Sequence, residues 1–282
     1  MTEFQIDGIA AVTGAGQGIG LGVVGALAER GFDVLALVLE PSHAEAVAER
    51  VAGAPGTATV QVLDVTDIGD FAFPGNLQVL VNNAGIRMST RPVEVIDSRE
   101  WRRTMDVNFF GMVDMTRLAL PIMRANGGGV ICNVGSGGQH LPNPFLAAYR
   151  ASKGAVSAFC ESLRVEVAPF GIRVIEIMPG AVKTGINVQS VLNVIADTSD
   201  EPAYLPMAQI QRRMIEANPP ETVSPDQAGQ WVANAVFDVD GPMRYGTCAG
   251  SQALLEMWRT TSDEVLAQRV LSAYQDIIAR PN

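Results

Sequence analysis

The first thirty residues of the chain restrict its fold more than any other stretch. An apolar run, Ile6 to Val12, leads into the glycine-rich sequence Thr13 to Gly20, and a helical pattern, Leu21 to Arg30, follows. In doubly wound α/β folds, a strand, a glycine turn and a helix start in this order receive a dinucleotide pyrophosphate. The glycines let the backbone approach the phosphates, and the helix N-terminus supplies amide donors. A glycine-rich loop without a ligand is the alternative, but the flanking strand and helix favour the dinucleotide site.

The composition indicates one compact α/β domain spanning residues 1–282. Hydrophobic residues make up 48% of the chain and charged residues 18%. The longest apolar run, Val34 to Leu39, is far shorter than the roughly 20 residues of a membrane span, so we expect none. The net charge of −10 argues against nucleic acid and anionic lipid as partners.

The start of the chain and its cysteines predict a cytoplasmic protein. The sequence Met1-Thr-Glu-Phe-Gln5 lacks the basic start and apolar stretch of a secretory signal. The three cysteines lie in apolar surroundings without ligand-like spacing, which is typical of reduced core residues. His43 and His140 are too few and too far apart to predict a metal site.

Short apolar runs at regular intervals predict a buried parallel sheet, with ligands at the carboxyl ends of the strands. The crossover Thr66 to Asn76 is too short for a full helix, so one flank of the sheet should be thinly covered. The predicted strands after the first are Phe32 to Leu39, Ala58 to Leu63, Leu77 to Val81, Gly129 to Ser136, Ile172 to Met178 and Met243 to Cys248.

The end of the second strand bears on the choice of cofactor. In a dinucleotide site this position reads the adenosine ribose, where a carboxylate favours NAD and an arginine favours NADP. The positions hold Val38 and Leu39, then Glu40, and the glycine loop carries Gln17 rather than a basic residue. We therefore favour NAD without excluding NADP. Glu40 could instead be a solvated turn residue.

Two predicted helices carry polar residues that are candidates for an active site. Asp97 or Ser98 can cap a helix that reaches about Leu120, where Pro121 disturbs it. Within that helix Asn108 is surrounded by apolar residues, so it is either a structural hydrogen-bonding residue or a site residue.

The second of these helices runs from Phe145 to Arg164 and places Tyr149 and Lys153 one turn apart on one face. A lysine ammonium within reach lowers the pKa of a phenol, as a tyrosine acid/base requires, although the same spacing also occurs in surface pairs.

The segment from Gly185 to Pro225 is rich in prolines and contains a predicted helix from Met207 to Ala217. A long segment after a strand end is typical of a lid, and its apolar residues suit a hydrophobic substrate or ordinary core packing. Further helices are predicted at Ser224 to Phe237 and Ser262 to Ile278, and residues 250–282 form a C-terminal extension.

Taken together, these residues resemble the short-chain dehydrogenase/reductase family. The resemblance covers about residues 5–250 and implies a doubly wound, three-layer α/β/α fold with a seven-stranded parallel sheet in the order 3-2-1-4-5-6-7. The matching features are Thr-Gly-x-x-x-Gly-x-Gly at 13–20, Asn-Asn-Ala-Gly at 82–85, Asn108, Ser136, Tyr149-x-x-x-Lys153, and Pro179-Gly180 followed by Thr184.

The resemblance also implies the roles of individual residues. Tyr149 would exchange the proton with the substrate oxygen, Lys153 would lower the tyrosine pKa and hold the nicotinamide ribose, and Ser136 would hydrogen-bond the reacting oxygen. Asn108 would hold a water that links Lys153 to solvent. The cofactor positions implied are Gly14, Gln17, Gly18, Ile19, Gly20, Glu40, Asp64, Val65, Asn82, Ala84, Gly85, Tyr149, Lys153, Pro179, Gly180, Val182 and Thr184.

The resulting hypothesis is an NAD(P)-dependent oxidoreductase that acts on an apolar secondary alcohol or ketone. The alternatives are an NADPH-dependent ketoreductase and a catalytically silent nucleotide-binding sensor or scaffold. Many relatives pair the helices that carry Asn108 and Tyr149, so a homodimer or homotetramer is expected. The second helix offers small residues for close contact, namely Ala147, Ala151, Ala155 and Ala158.

Overall fold

A computed structural model describes residues 5–184 and 193–275, and seven parallel strands form its central sheet in the order β3-β2-β1-β4-β5-β6-β9. The strands of this sheet are β1 (Ile9–Thr13), β2 (Val34–Val38), β3 (Ala58–Val62), β4 (Leu77–Asn82), β5 (Gly129–Val134), β6 (Ile172–Met178) and β9 (Arg244–Gly246). A separate two-stranded parallel ribbon consists of β7 (Ala181–Val182) and β8 (Thr222–Val223). The predicted fold class and strand order are thereby confirmed.

Helices cover both faces of the sheet. They are α1 (Gly18–Ala28), α2 (Ala44–Val51), α3 (Ser98–Met105), α4 (Gly111–Ala125), α5 (Ala147–Val167), α6 (Val194–Asp197), α7 (Leu205–Ala217), α8 (Pro225–Phe237), α9 (Ala249–Thr260) and α10 (Asp263–Ser272). A π-helical stretch, Asp106–Phe110, joins α3 to α4.

The central strands are buried because apolar side chains point to both faces of the sheet. In β1, Ala10 and Val12 belong to the core that includes α1 and α8, whereas Ala11 belongs to the core that includes α4 and α5. This two-sided burial explains why β2 reads as an uninterrupted apolar run. Strand β3 lies at the sheet edge and keeps several exposed side chains.

The strand order reverses between β1 and β4, because β2 and β3 follow β1 on one side while β5 and β6 follow β4 on the other. Ligands of open parallel sheets bind outside the carboxyl ends of the strands at such a reversal. The glycine turn after β1 and the Asn82–Gly85 segment at the end of β4 therefore meet at the point where a dinucleotide is expected.

Two helix predictions differ from the structure. Helix α4 continues through Pro121 to Ala125, with Pro121 in its second half. A proline removes one backbone donor from a helix, and in this helix the packing of Met115, Ala119 and Met123 against the sheet outweighs that loss. Helix α9 was not predicted, although its N-terminus is capped at Cys248. The described crossover between β3 and β4, with room for barely two turns of helix, contains none.

The predicted lid lies only partly within the described residues. Its apolar residues Ile186, Val188, Val191 and Leu192 fall outside them, as do residues 276–278 of the predicted last helix. In the described part, Val194 and Ala208 are buried against Phe145, which precedes α5 and has a backbone φ of +64°. The left-handed region is unfavourable for a bulky residue, so this packing holds Phe145 in a strained conformation. Closure of a lid remains a prediction.

Candidate active site

The glycine turn forms one wall of a crevice at the carboxyl end of the sheet. Gly14 and Gly18 have φ values of +61° and +54°, which favour glycine. A Cβ atom on Gly14 would lie 2.9 Å from Ala84 Cα, and one on Gly20 would lie 2.2 Å from the Gly14 carbonyl oxygen. Helix α1 begins at Gly18, so its free amide groups lie beside this turn. The turn therefore has the shape and the polarity that a pyrophosphate requires.

Asn83 joins this turn to the end of β4. Its side-chain amide donates to the carbonyl oxygens of Thr13 (3.0 Å) and Gly14 (3.1 Å). The Thr13 hydroxyl in turn accepts from the backbone N–H groups of Asn83 and Ala84, both at 3.0 Å. Asn83 thus sets the width of the crevice. It was missed as a site residue, although it belongs to the Asn-Asn-Ala-Gly sequence at 82–85.

Asn82, by contrast, does not line the crevice. Its side chain is buried in the sheet and donates to Thr116 Oγ1 (3.0 Å) and Asn133 Oδ1 (2.8 Å). A buried amide needs such partners, so this residue bonds β4 to β5 and α4. Its expected position along the cofactor stays a prediction.

The crevice has a volume of about 410 Å³, within the range of small-molecule sites. Most of the predicted residues line it, whereas Gly20, Asn82 and Asn108 do not. The predicted residues that line it are Gly14, Gln17, Gly18, Ile19, Glu40, Asp64, Val65, Ala84, Gly85, Ser136, Tyr149, Lys153, Pro179, Gly180, Val182 and Thr184.

Two basic side chains that were not predicted lie at the β2–β3 end of the crevice. Arg103, from α3, lies 3.6 Å from the Asp64 carboxylate and donates to Thr66 Oγ1 at 2.9 Å. The pKa of Asp64 is lowered, first by the backbone N–H of Thr66 and then by the Thr66 hydroxyl and Arg103. His43 packs over the glycine turn, since a Cβ on Gly16 would lie 2.3 Å from its Cγ. His43 follows Glu40 closely in sequence, whereas only the fold brings Arg103 to this end of the crevice.

Tyr149 and Ser136 meet at the other end of the crevice, where Tyr149 is half-buried. Burial raises the pKa of Tyr149, and two neighbours oppose that rise: a hydrogen bond with Ser136 and the positive charge of Arg87. The Arg87 guanidinium carbon lies 5.9 Å from the centre of the Tyr149 ring. The cation that lowers the Tyr149 pKa in this structure is Arg87, and the expected effect of Lys153 on that pKa stays a prediction.

Lys153 is only 4% exposed, and its Nζ donates to the Val134 carbonyl oxygen at 2.8 Å. The same atom would lie 3.4 Å from a Cβ on Gly85, so it borders the crevice floor. Burial lowers the Lys153 pKa to about 8, and the negative charge of Glu176 opposes this effect. The side chain is therefore mainly an ammonium at neutral pH.

Asn108 lies in the π-helical stretch between α3 and α4 and is buried. Its Oδ1 accepts from the Ile86 N–H (2.7 Å), and its Nδ2 donates to the Ile86 carbonyl and to Ser152 Oγ, both at 2.9 Å. Ser152 then donates to the Tyr149 carbonyl oxygen at 2.7 Å. Asn108 thus holds Ile86 and the start of α5 in place, and its expected role as a site residue stays a prediction.

Across the described ranges 5–184 and 193–275, no group of three or more His, Cys, Asp or Glu side chains is placed to hold a metal ion. In the same ranges, no helix has both the length and the apolar character that crossing a membrane requires.

The fold has counterparts among known proteins. The sequence profile of the short chain dehydrogenase family matches residues 8–194, and the chain belongs to that family. It is therefore an oxidoreductase that acts on CH–OH groups with a nicotinamide dinucleotide.

Three similar proteins illustrate the relationship. The uncharacterized oxidoreductase YusZ of Bacillus subtilis is 34% identical over 230 residues, which cover 77% of this chain and 81% of YusZ. The human 11-beta-hydroxysteroid dehydrogenase type 2 is 34% identical over 193 residues, which are 65% of this chain but only 46% of that enzyme. The structure of a short chain dehydrogenase from Burkholderia cenocepacia in complex with NADP matches with a TM-score of 0.73 and 28% identity. That match covers 95% of this chain and 99% of the other.

Proposed function

We propose that this protein interconverts an apolar secondary alcohol and the corresponding ketone, with Tyr149 as the general acid/base. The observation that carries the proposal is that Tyr149 and Ser136 line the same crevice as the glycine turn, with Ser136 close enough to lower the Tyr149 pKa. Acid/base catalysis requires a titratable group within hydrogen-bonding reach of the reacting oxygen. A carbinol oxygen placed between the Tyr149 and Ser136 hydroxyls meets that requirement.

In the oxidative direction Tyr149 accepts the carbinol proton as a phenolate, and in the reductive direction the phenol returns it. Ser136 donates a hydrogen bond to the reacting oxygen and stabilises the charge that develops there. The bound nicotinamide dinucleotide supplies the hydride acceptor or donor. Lys153, beside Gly85 on the crevice floor, would hold the ribose through its ammonium group. Arg87 favours the phenolate by its charge.

We propose NAD as the preferred cofactor. Glu40 lines the crevice at the β2–β3 end, where a carboxylate would bond a ribose hydroxyl and repel a 2′-phosphate. Arg103 and His43 line the same end and favour NADP, which is the cofactor in the Burkholderia complex. Because Arg103 already pairs with Asp64, we assign Glu40 the larger effect on the choice between NAD and NADP.

An apolar substrate is supported by the surroundings of Phe145. Val194 and Ala208 pack on it, with Ile195, Tyr204 and Met207 partly buried around them. The human relative named above is a hydroxysteroid dehydrogenase, and a steroid is a bulky apolar alcohol. We accordingly place the substrate class among apolar alcohols and ketones, and the enzyme in the cytoplasm as a single domain.

The test is turnover over a panel of secondary alcohols, with NAD and NADP each titrated separately, alongside equilibrium binding of both cofactors. We expect turnover with apolar alcohols and a lower Kd for NAD. The variant Glu40→Gln should reduce the difference between the Kd values for NAD and NADP, whereas the exposed control Glu45→Gln on α2 should leave that difference unchanged. Tight cofactor binding without turnover of any alcohol or ketone would instead favour a nucleotide-binding sensor.

A further inference from the structure

A fully buried carboxylate lies behind Ser136, on the side away from the crevice. Glu176, in the middle of β6, has no exposed surface. Its two oxygens accept hydrogen bonds from Gln139 Nε2 (2.9 Å), from Arg244 Nε (2.8 Å) and from the Ser157 hydroxyl. Burying a carboxylate is costly unless it is paired, and this one is bonded on both oxygens.

The carboxylate determines how the Gln139 amide is oriented. A carboxylate only accepts hydrogen bonds, so Gln139 must turn its NH₂ group towards Glu176. Its Oε1 atom then faces Ser136 and accepts the Ser136 backbone N–H at 3.0 Å. Ser136 is thereby fixed at the start of the short helical turn Gly137–His140.

The outer side of this cluster involves the C-terminal extension. Arg244 also pairs with Glu161 at 2.5 Å, and its guanidinium carbon lies 5.2 Å from the ring centre of Trp258 on α9. The Trp258 indole also stacks on His140, with 3.7 Å between ring centres. Helix α9 thus covers the Arg244–Glu176 pair and the turn that begins at Ser136.

We propose that Glu176 is a positioning residue for Ser136, acting through the Gln139 amide. This inference rests on the proposed function, because it assigns a further residue to the same reaction. It requires no contact between Glu176 and the substrate.

Replacing the carboxylate disturbs this role. In Glu176→Gln the one remaining side-chain oxygen keeps the stronger, charge-assisted bond with Arg244, so the new NH₂ group faces Gln139. The Gln139 amide must then turn, and Ser136 loses its acceptor. The variant also removes the charge that opposes the effect of burial on Lys153. The Lys153 pKa therefore falls below its value of about 8, and activity that needs the ammonium is lost at lower pH.

Other ionisable groups around these side chains do not provide the same charge. Burial lowers the His140 pKa to about 4 and raises the Cys160 pKa to about 12, so both are uncharged at neutral pH. Arg244 and Arg87 carry positive charge, and Tyr149 faces Ser136. Among the described groups that affect the Lys153 pKa, Glu176 is the negatively charged one.

Three variants test the inference. Glu176→Gln removes the carboxylate, Gln139→Met removes the link to Ser136 together with one donor to Glu176, and Glu161→Gln changes the outer partner of Arg244 and serves as the matched control. We expect kcat to fall about tenfold or more in the first two variants, with the Kd for NADH within about twofold of wild type. The alkaline limb of the pH–rate profile should move to lower pH in Glu176→Gln alone. Circular dichroism confirms that each variant is folded.

A measurement that needs no turnover accompanies the kinetics. Amide hydrogen exchange of the peptide containing Ser136 should be about tenfold faster in Glu176→Gln and Gln139→Met, and unchanged in Glu161→Gln. Wild-type kcat and wild-type exchange in Gln139→Met would overturn the inference while leaving the proposed function intact. If wild-type protein turns over no substrate, the proposed function fails, and the exchange rates alone decide the positioning role. Should Glu176→Gln not fold, the exchange rate in Gln139→Met still decides whether Ser136 is positioned through the amide.

Discussion

At the scale of single residues, Tyr149 is under two opposing influences. Burial favours the neutral phenol, whereas Ser136 and Arg87 favour the phenolate. The balance determines the pH at which the group can accept a proton. Arg87 is the neighbour that can be changed without removing a proposed contact to the reacting oxygen.

We predict that Arg87→Met raises the kinetic pKa of Tyr149. With the guanidinium gone, the phenolate loses a favourable charge, so the activity that depends on it should appear only at higher pH. The pH dependence of kcat/KM for alcohol oxidation measures the shift. Arg99→Met is the control, because the Arg99 side chain is 91% exposed and pairs with nearby Asp97. An unchanged profile in Arg87→Met would show that its charge does not reach Tyr149.

Lys153 gives a prediction about stability. Its pKa is about 8 in the folded protein and about 10.5 in the unfolded chain, so between these values the unfolded state binds more protons. Stability contributed by this group therefore rises as pH increases from about 8 to about 10.5, by roughly 3 kcal/mol in total. Lys153→Met lacks this dependence. Urea unfolding at pH 7 and pH 10 measures the free energy of unfolding of both proteins. The free energy of wild type relative to that of Lys153→Met should be larger at pH 10 than at pH 7. A difference that is the same at both pH values would contradict the lowered pKa of Lys153.

The residues of the candidate site differ in how far the sequence could reveal them. Tyr149, Lys153 and Ser136 were predicted because helical spacing and strand ends are local features. Arg87, Arg103, Gln139 and Glu176 were not, since their neighbours are distant in sequence. Gln139 meets Glu176 across 37 positions, and only the pairing of β5 with β6 brings them together.

At the scale of elements, the turn of π-helix between α3 and α4 controls the position of Ile86. Insertions of this kind often accompany functional sites, because they redirect a side chain from the helix surface. Here the redirected side chain is Asn108, which bonds both backbone groups of Ile86. The sequence predicted that Asn108 is buried in a helix, but it could not predict that this part of the helix is a π-helical turn.

We predict that Asn108→Ala destabilises the protein by roughly 2–3 kcal/mol, since it leaves buried backbone groups of Ile86 without their partner. Urea unfolding measures the loss. The control is Asn126→Ala, because Asn126 makes one exposed side-chain bond, to the Gly75 carbonyl oxygen. Equal stability of the two variants would mean that Asn108 is not the structural link described above.

At the scale of the whole molecule, the strand order and the position of the crevice could be predicted because they depend on apolar runs and glycine turns in order along the chain. The passage of α4 through Pro121 and the presence of α9 could not. The first depends on packing against the sheet. The second depends on contacts of α9 with β9 and with the turn after β5, which no local pattern encodes.

We also predict that the protein is a homodimer or homotetramer that pairs α5 with its copy. Ala151 and Ala158 are exposed on this helix and allow close approach, and Val165 is 75% exposed. Ala158→Arg should lower the mass measured by light scattering, because a long charged side chain separates the helices. Ala48→Arg, on the exposed face of α2, is the control. A wild-type monomer would contradict the prediction.

The central claim, that the Tyr149 hydroxyl exchanges the proton with the substrate, is tested most directly by Tyr149→Phe. The measurement is kcat on the best alcohol of the panel, with the Kd for the cofactor determined in parallel. We predict a loss of at least roughly 100-fold in kcat with cofactor affinity within about twofold of wild type. Equal kcat in the two proteins would contradict the claim.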